Sequence, residues 1–330
     1  MRFFQPAKSW RVEELVHGCQ VTLLQGNPNL WVHDVVDLDH WDFASIAFAR
    51  TPEDLEGKSG AVLLVPEYLQ HRVSWPSSLT VLVARKDLLY HWMLVVKSFY
   101  PDFYDRAHWE VKEGHFNVGQ DSVIHSSAVI GEGAVIGDQC IIGPQACLGP
   151  GVHLGNQCSV GVGASVLCTE TGDNVVIGPG ARIGQRGFGF IPDYKSARCQ
   201  SIPQIGSVYL EDGVHVGANS TIDRGALWET RVGAETHIDN LVHLGHNVQL
   251  GKMNIIVAQV GIAGSTVTED EVVLGGQVGV AGHLRIARGT QIAAKSGVLQ
   301  SVTQAFQKWG GMPLRPLRRW MRSAVKEKKS

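Results

Sequence analysis

The chain has 330 residues, with 29 Lys and Arg against 31 Asp and Glu, for a formal net charge of −2. That balance excludes a whole-chain nucleic-acid or membrane-surface binder, and 44 % apolar content excludes disorder. Charged residues, at 18 %, fall below the roughly 25 % usual in soluble domains, whereas 38 glycines exceed the usual ~7 %. No apolar run approaches ~18 residues, so no membrane span is expected. The start, Met1 to Pro6, lacks a signal-peptide stretch, which points to the cytoplasm. Cys19, Cys140, Cys147, Cys158, Cys168 and Cys199 form no C-x-x-C pair and read as free thiols.

Glycine and tryptophan divide the chain. Only Gly18, Gly26, Gly57 and Gly60 precede residue 110, whereas Trp10, Trp31, Trp41, Trp75, Trp92 and Trp109 all do. The step marks a domain boundary near 105–117. Residues 1–105 read as a small α/β domain. Short apolar runs predict buried strands over 61–65 and 79–83. The spacing of Leu88, Leu89, Trp92, Val95 and Val96 predicts a helix over 87–100.

Residues 106–302 carry a repeat. Ile124, Ile130, Ile136, Ile142, Leu148, Leu154, Val160 and Val166 stand six apart, and a smaller residue follows each of the first seven by four: Ala128, Ala134, Cys140, Ala146, Val152, Cys158, Ala164. The period resumes at Leu210, Val216 and Ile222. In a shifted phase it then runs from Val232 to Val298, with Thr268 as the exception. Six is neither the helical period nor simple strand alternation. It fits a short strand and a turn repeated around a prism, one large and one small side chain inward, with glycine expected at the turns. Cys140 and Cys158 fall in the small inward slot, a packing role.

Two features interrupt this regularity. Between Ile183 and Ile205 the phase lapses through Gly187-Phe188-Gly189-Phe190 and Ile202-Pro203-Gln204, and a long insertion in a solenoid suggests function. His237, Asp239, Asn240, His243, His246 and Asn247 then gather titratable groups at outward slots. Counting by 18 from His246 gives Gly264 and Gly282, with His283 about two coils away, ~10 Å along the axis. A metal site is not expected: three residues apart on one strand, His243 and His246 would point to opposite sides, and no third ligand is evident.

The hexapeptide pattern resembles the hexapeptide-repeat acyltransferases. With Ile222-Asp223-Arg224-Gly225, His237-Ile238-Asp239-Asn240, His246-Asn247 and the Gly-Phe-Gly-Phe insertion, it is similar to their UDP-3-O-acylglucosamine N-acyltransferase family, of the lipid A pathway. The resemblance implies a mainly β fold, a left-handed parallel β-helix of 18 residues per coil, and a homotrimer. It also implies transfer of a 3-hydroxyacyl chain from acyl carrier protein to the 2-amine of a UDP-sugar. No resident cofactor is implied, since 4′-phosphopantetheine arrives on the carrier protein. By the same resemblance His246 is the general base, Gly264 the backbone oxyanion donor and His283 a secondary histidine. Asp239, Asn240, His243 and Asn247 would contact substrate, Phe188 and Phe190 would wall the site, and Gly297, where some members carry methionine, would leave a deeper acyl channel. Phe48 matches the first residue of the family's uridine motif, but Thr51 and Asp54 replace its Asn and its second ring, a loss of ~1 kcal/mol of stacking. An acyl-CoA-dependent sugar-nucleotide acyltransferase and a non-catalytic paralogue are the rival readings.

Residues 303–330 leave the six-residue phase. Leu317, Trp320, Met321, Ala324 and Val325 share one helical face, and Pro316 suits a first turn. Lys308, Arg315, Arg318, Arg319, Arg322, Lys326, Lys328 and Lys329 against Glu327 give this basic helical extension a formal +7. A solvated terminus or a membrane-surface helix would share this pattern. The resemblance favours docking of the acidic carrier protein, through Arg315, Arg318, Arg319 and Arg322.

Overall fold

In this computed structural model, residues 3–85, 87–101, 114–193 and 197–327 are described. Much of the expected boundary, including Trp109, and the basic residues Lys328 and Lys329 lie outside them. The chain divides into two units: residues 1–105 with 189–205, and 106–188 with 206–330. Sequence reading placed the insertion with the β-helix. In the structure its hairpin, Phe190–Asp193 paired antiparallel with Arg198–Ser201, groups with the N-terminal residues.

The first unit is built on a five-stranded sheet in the order Thr22–Gln25, Thr80–Ala84, Val62–Pro66, Ser45–Phe48, Asp34–Val35. All pairs are parallel except the first. The two expected strands appear one residue later than read, buried at every position, which is why they present continuous rather than alternating apolar runs. The expected helix forms at Leu88–Phe99. Asp87 caps it, its carboxylate accepting from the Leu89 and Tyr90 N–H groups at 2.9 and 3.3 Å. Trp92, Val95 and Val96 are buried as expected, whereas Leu88 and Leu89, in the first turn, are only half-buried.

The second unit is a parallel β-helix of three sheets, of nine, nine and eleven strands. Most strands are two residues long and pair with the strand 18 residues later, as Cys147–Leu148 does with Ser165–Val166. From Ile130 to Val298 the large inward side chains form one continuous core, each contributing about 1.5–3 kcal/mol by burial. Thr268, the exception in the period, is buried and accepts a hydrogen bond from Asn254 Nδ2 at 3.0 Å; one internal polar pair replaces one apolar contact. Cys140 and Cys158 are buried in the small slot as expected. The ladder also extends past residue 302: Lys308–Gly310 pairs parallel with Gln291–Ile292. Arg315–Pro316 then pairs back, and a helix follows at Leu317–Glu327.

Glycine acts differently from expectation. Gly131, Gly137, Gly143, Gly149, Gly155 and Gly161 do not adopt positive φ. They lie where a Cβ would press into the neighbouring coil, as at Gly161, 2.6 Å from the Pro179 nitrogen. Most left-handed corners are instead carried by residues such as Gln139, Gln157, Asn174, Asn219, Gln259 and Gln277, with φ of 55–61°. Glycine therefore has two places in the solenoid, close stacking of coils at these positions and left-handed corners at Gly133, Gly151, Gly163, Gly180, Gly213 and Gly289, and residues with side chains carry most of the other corners.

Candidate functional site

The groove with the richest chemistry lies on the sheet that contains Thr221–Asp223, His243–Leu244, Gly261–Ile262, Gly279–Val280 and Gly297–Val298. It has a volume of ≈ 810 Å³ and is lined by Phe188, Asp223, His243, His246, Gly264 and Met312 among others. Its floor follows from the repeat. Outward positions one coil apart fall in columns, and the column through His243 continues as Gly261, Gly279 and Gly297. Three successive residues without side chains leave a channel along the solenoid.

His246 sits at the corner after the His243–Leu244 strand. Its Nδ1 is 3.1 Å from Asn247 Oδ1. Because the amide oxygen only accepts, the proton resides on Nδ1, leaving the Nε2 lone pair free to take another. Asn247 is itself held: its Oδ1 accepts from the Ala226 N–H at 2.9 Å, and its own N–H donates to Thr230 Oγ1 at 2.8 Å. One coil on, a Cβ at Gly264 would stand 2.8 Å from both Cε1 and Nε2 of His246. Among the described residues, the Gly264 N–H makes no hydrogen bond. The coil does not require that amide, since Pro150 fills the equivalent corner earlier in the column.

His243 lines the same groove, contrary to the expectation that it and His246 would diverge. The strand ends after two residues and the chain turns at Gly245, bringing both imidazoles to one side. His243 Nδ1 is 2.7 Å from Thr221 Oγ1. No group of three or more His, Cys, Asp or Glu with metal-holding geometry occurs among the described residues.

Sequence reading passed over Asp223 as a site residue. It is 3 % exposed, its Oδ1 accepts from Gln185 Nε2 at 3.1 Å, and its Oδ2 stands 3.8 Å from His243 Nε2. Burial pushes this carboxyl above its ordinary value, opposed by the Gln185 hydrogen bond and by His243, His246 and Arg224. A register shift between Ile183 and Gln185 sets Gln185 opposite Asp223, and bulges of this kind re-aim side chains. Column counting shows the anomaly: the equivalent slot elsewhere holds Gly131, Gly149, Leu167, Gly184, Gly245, Ala263, Ala281 and Leu299, none of them charged.

The polar cluster read as one constellation is split. Six residues carry the chain to the next face, so Asp239 and Asn240 line a separate groove with His215 and His237. There Asp239 accepts from the backbone N–H groups of Asn240 and Ala258 at 2.7 and 3.1 Å, and Asn240 Oδ1 accepts from that of Ala218 at 2.7 Å. His283 is exposed at a left-handed corner, φ 59°, and does not line the His246 groove. Phe188 lies in that groove, 84 % exposed, whereas Phe190 belongs to the hairpin of the other unit. Gly297 lines the groove, but the depth expected above it is occupied: a Cβ there would meet Met312 Sδ.

Phe48 packs on Trp92, ring centroids 4.8 Å apart, with the Arg50 guanidinium 5.7 Å from its own ring. Asp54 accepts from the Arg50 and Thr51 N–H groups at 2.8 and 2.9 Å. Beside them, Arg50, Tyr68 and Arg85 line a shallow cavity of ≈ 620 Å³. Arg315, Arg318, Arg319 and Arg322 are all exposed.

Coil, groove and corner together define a hexapeptide-repeat β-helix protein, and the bacterial transferase hexapeptide family (six repeats) matches residues 117–150. Over about half its length the chain is similar to UDP-3-O-acylglucosamine N-acyltransferases. That of Methylorubrum extorquens (strain PA1) is 51 % identical over 162 residues, 49 % of this chain and 45 % of the relative. That of Rhizobium meliloti (strain 1021) is 49 % identical over 168 residues, 51 % and 47 % of the two chains. The chain thus spans about half the length of the curated relatives it matches. Among solved structures, the UDP-N-acetylglucosamine acyltransferase from Campylobacter jejuni aligns with a TM-score of 0.53 and 26 % identity, covering 59 % of this chain and 73 % of that one. The UDP-N-acetylglucosamine O-acyltransferase from Moraxella catarrhalis aligns with a TM-score of 0.52 and 26 % identity, covering 61 % and 77 %. The left-handed parallel β-helix and the family resemblance read from the sequence are both borne out. Among the described residues, no helix is long and apolar enough to cross a membrane.

Proposed function

We propose that the protein is an N-acyltransferase of lipid A synthesis, moving a 3-hydroxyacyl chain from acyl carrier protein to the 2-amine of UDP-3-O-acylglucosamine. The observation that carries this reading is the corner where His246, oriented by Asn247, abuts Gly264, whose N–H makes no hydrogen bond among the described residues. The acceptor amine attacks the thioester carbonyl as His246 Nε2 removes its proton. The Gly264 N–H donates to the oxyanion of the tetrahedral intermediate. The intermediate then collapses, the C–S bond breaks, and the departing thiolate takes the proton from His246. The glycine-floored channel over Gly261, Gly279 and Gly297 suits the acyl chain, and the cavity beside Phe48, Arg50 and Tyr68 suits the uridine end of the sugar nucleotide. The exposed arginines of the terminal helix suit an acidic carrier protein. Assembly as a cytoplasmic homotrimer belongs to the same reading.

Mass spectrometry of the product formed from UDP-3-O-(3-hydroxyacyl)glucosamine and a 3-hydroxyacyl carrier thioester tests it, with acyl-CoA as rival donor. His246→Ala is expected to lower kcat by about 10²–10⁴-fold. A His246→Ala enzyme with the wild-type rate overturns the assignment of the base, and absence of product overturns the activity.

A further inference from the structure

The base and the amide account for the second proton on the acceptor nitrogen, not for the first. A sugar amine with a pKa near that of an α-amino group, about 8, arrives at neutral pH largely as the ammonium ion, which has no lone pair to attack with. Asp223 is a buried carboxylate in the same groove, placed where the other coils have glycine, alanine or leucine and no charged residue. Gln185 fixes Oδ1, and Oδ2 is beyond hydrogen-bond distance of His243. The next residues of its column, Gly245, Ala263 and Ala281, are small and line the groove, so they leave room in front of it. A carboxylate held this way accepts hydrogen bonds and suits a cationic donor.

We infer that Asp223 is the ammonium-binding group of the acceptor site and selects an amine over a hydroxyl at the reacting position. This rests on the N-acyltransferase reading above and names what in the site makes it N-specific. In the resulting sequence, Oδ2 of Asp223 binds R–NH₃⁺ and takes its first proton, which passes to solvent by way of the exposed His243. The neutral amine then forms the C–N bond while His246 takes the second proton and returns it to the leaving thiolate. One proton is released to solvent per amide formed, which balances conversion of ammonium and thioester to amide and thiol. The groups facing Asp223 are Gln185 from the preceding strand, Arg224 next in the chain, and His243 and His246 from the next coil; Lys295 lines the groove further along. Arg224 donates to Cys168 Sγ at 3.4 Å, two coils back in its own column.

The test compares binding of UDP-glucosamine and UDP-glucose, which differ in the amine, by calorimetry on wild type, Asp223→Asn and Asp223→Glu. Wild type is expected to prefer the amine by about tenfold at pH 7, the scale of one hydrogen bond to a charged group. The preference should vanish in Asp223→Asn and partly return in Asp223→Glu. In turnover, the acidic limb of kcat/KM for Asp223→Asn should move to higher pH, because only the free-amine fraction is then used, and its activity should recover toward pH 9. An equal preference in wild type and Asp223→Asn, or a loss of kcat/KM of the same size at every pH, overturns the inference. Should Asp223→Asn fail to fold, a wild-type protein that binds both nucleotides equally overturns it alone. An amine preference without transfer to UDP-3-O-acylglucosamine would sink the proposed activity and leave the ammonium site standing.

Discussion

Gly264→Ala is the sharpest perturbation of the candidate site because it adds one carbon at a known place. Gly264 does not have positive φ, so alanine is tolerated by the backbone and the effect is steric. The new Cβ would lie 2.8 Å from His246 Cε1 and Nε2 and 3.0 Å from its carbonyl oxygen, closer than the ~3.5 Å optimum between non-bonded heavy atoms. The imidazole must move by roughly 1 Å, and the 3.1 Å bond from Nδ1 to Asn247 is the restraint it breaks. Misplacing a catalytic group by that amount costs about 10²-fold in rate, whereas the overpacking itself costs about 1–3 kcal/mol of stability. Steady-state acyl transfer by Gly264→Ala should therefore show a drop of about 10²-fold in kcat, with a cooperative thermal transition retained. Gly18→Ala, where an added Cβ meets nothing within 4 Å, controls for the substitution type. Wild-type kcat in a folded Gly264→Ala enzyme would refute the placement of His246 against this glycine.

Met312→Ala should lengthen the preferred acyl chain by about two methylenes, each worth ~0.8 kcal/mol when buried, measured as kcat/KM over a chain-length series; an unchanged optimum removes Met312 as the stop. Reversing charge at Arg318, Arg319 and Arg322 to Glu should raise KM for acyl carrier protein about tenfold at low salt and less at 0.5 M salt. Equal KM values at low salt would reject docking there. His215 has its pKa lowered from 6.5, first by burial and then by His237, whose ring centroid is 4.6 Å away. The folded state then binds fewer protons than the unfolded one, so stability rises with pH up to 6.5 and falls below it. Urea midpoints of wild type should decline through that window more steeply than those of His215→Gln; parallel profiles would exclude the pair as a source of acid sensitivity.

The repeat was legible because a narrow prism demands one large and one small inward side chain per face, and few sequences satisfy that for long. The one-coil separation of His246 and Gly264 was legible from the count of 18, whereas the roles assigned to them came from the family resemblance. Asp223 was not legible, because its orientation depends on a bulge opposite it, and a shift in register between 183 and 185 leaves no mark on the period. Splitting of the 237–247 cluster was hidden for a related reason: neighbours in sequence turn a corner every six residues, so proximity along the chain does not mean proximity on a face. Met312 escaped notice since it lies past the last repeat and meets Gly297 only after Lys308–Gly310 has extended the ladder. Corner conformations were read only in part, because glycine abundance was assigned wholly to turns: Gly133, Gly151 and Gly163 do sit at left-handed corners, whereas at Gly131, Gly149 and Gly161 stacking distance is what selects it.

Pairing of each strand with its equivalent one coil on, mostly 18 residues later, gives each position in the solenoid an address made of a face and a coil. Removing 18 residues from the regular stretch between 117 and 166 would shorten the rod by one coil and keep His246, Gly264 and Asp223 on their face. Removing six would keep the core pattern intact yet carry everything beyond the deletion around by a third of a turn. The His246 groove would stay whole, but it would face a different direction from the coils before it. The repeat thus tolerates changes in length only in whole coils, a constraint set by where the groove must look rather than by the stability of the core.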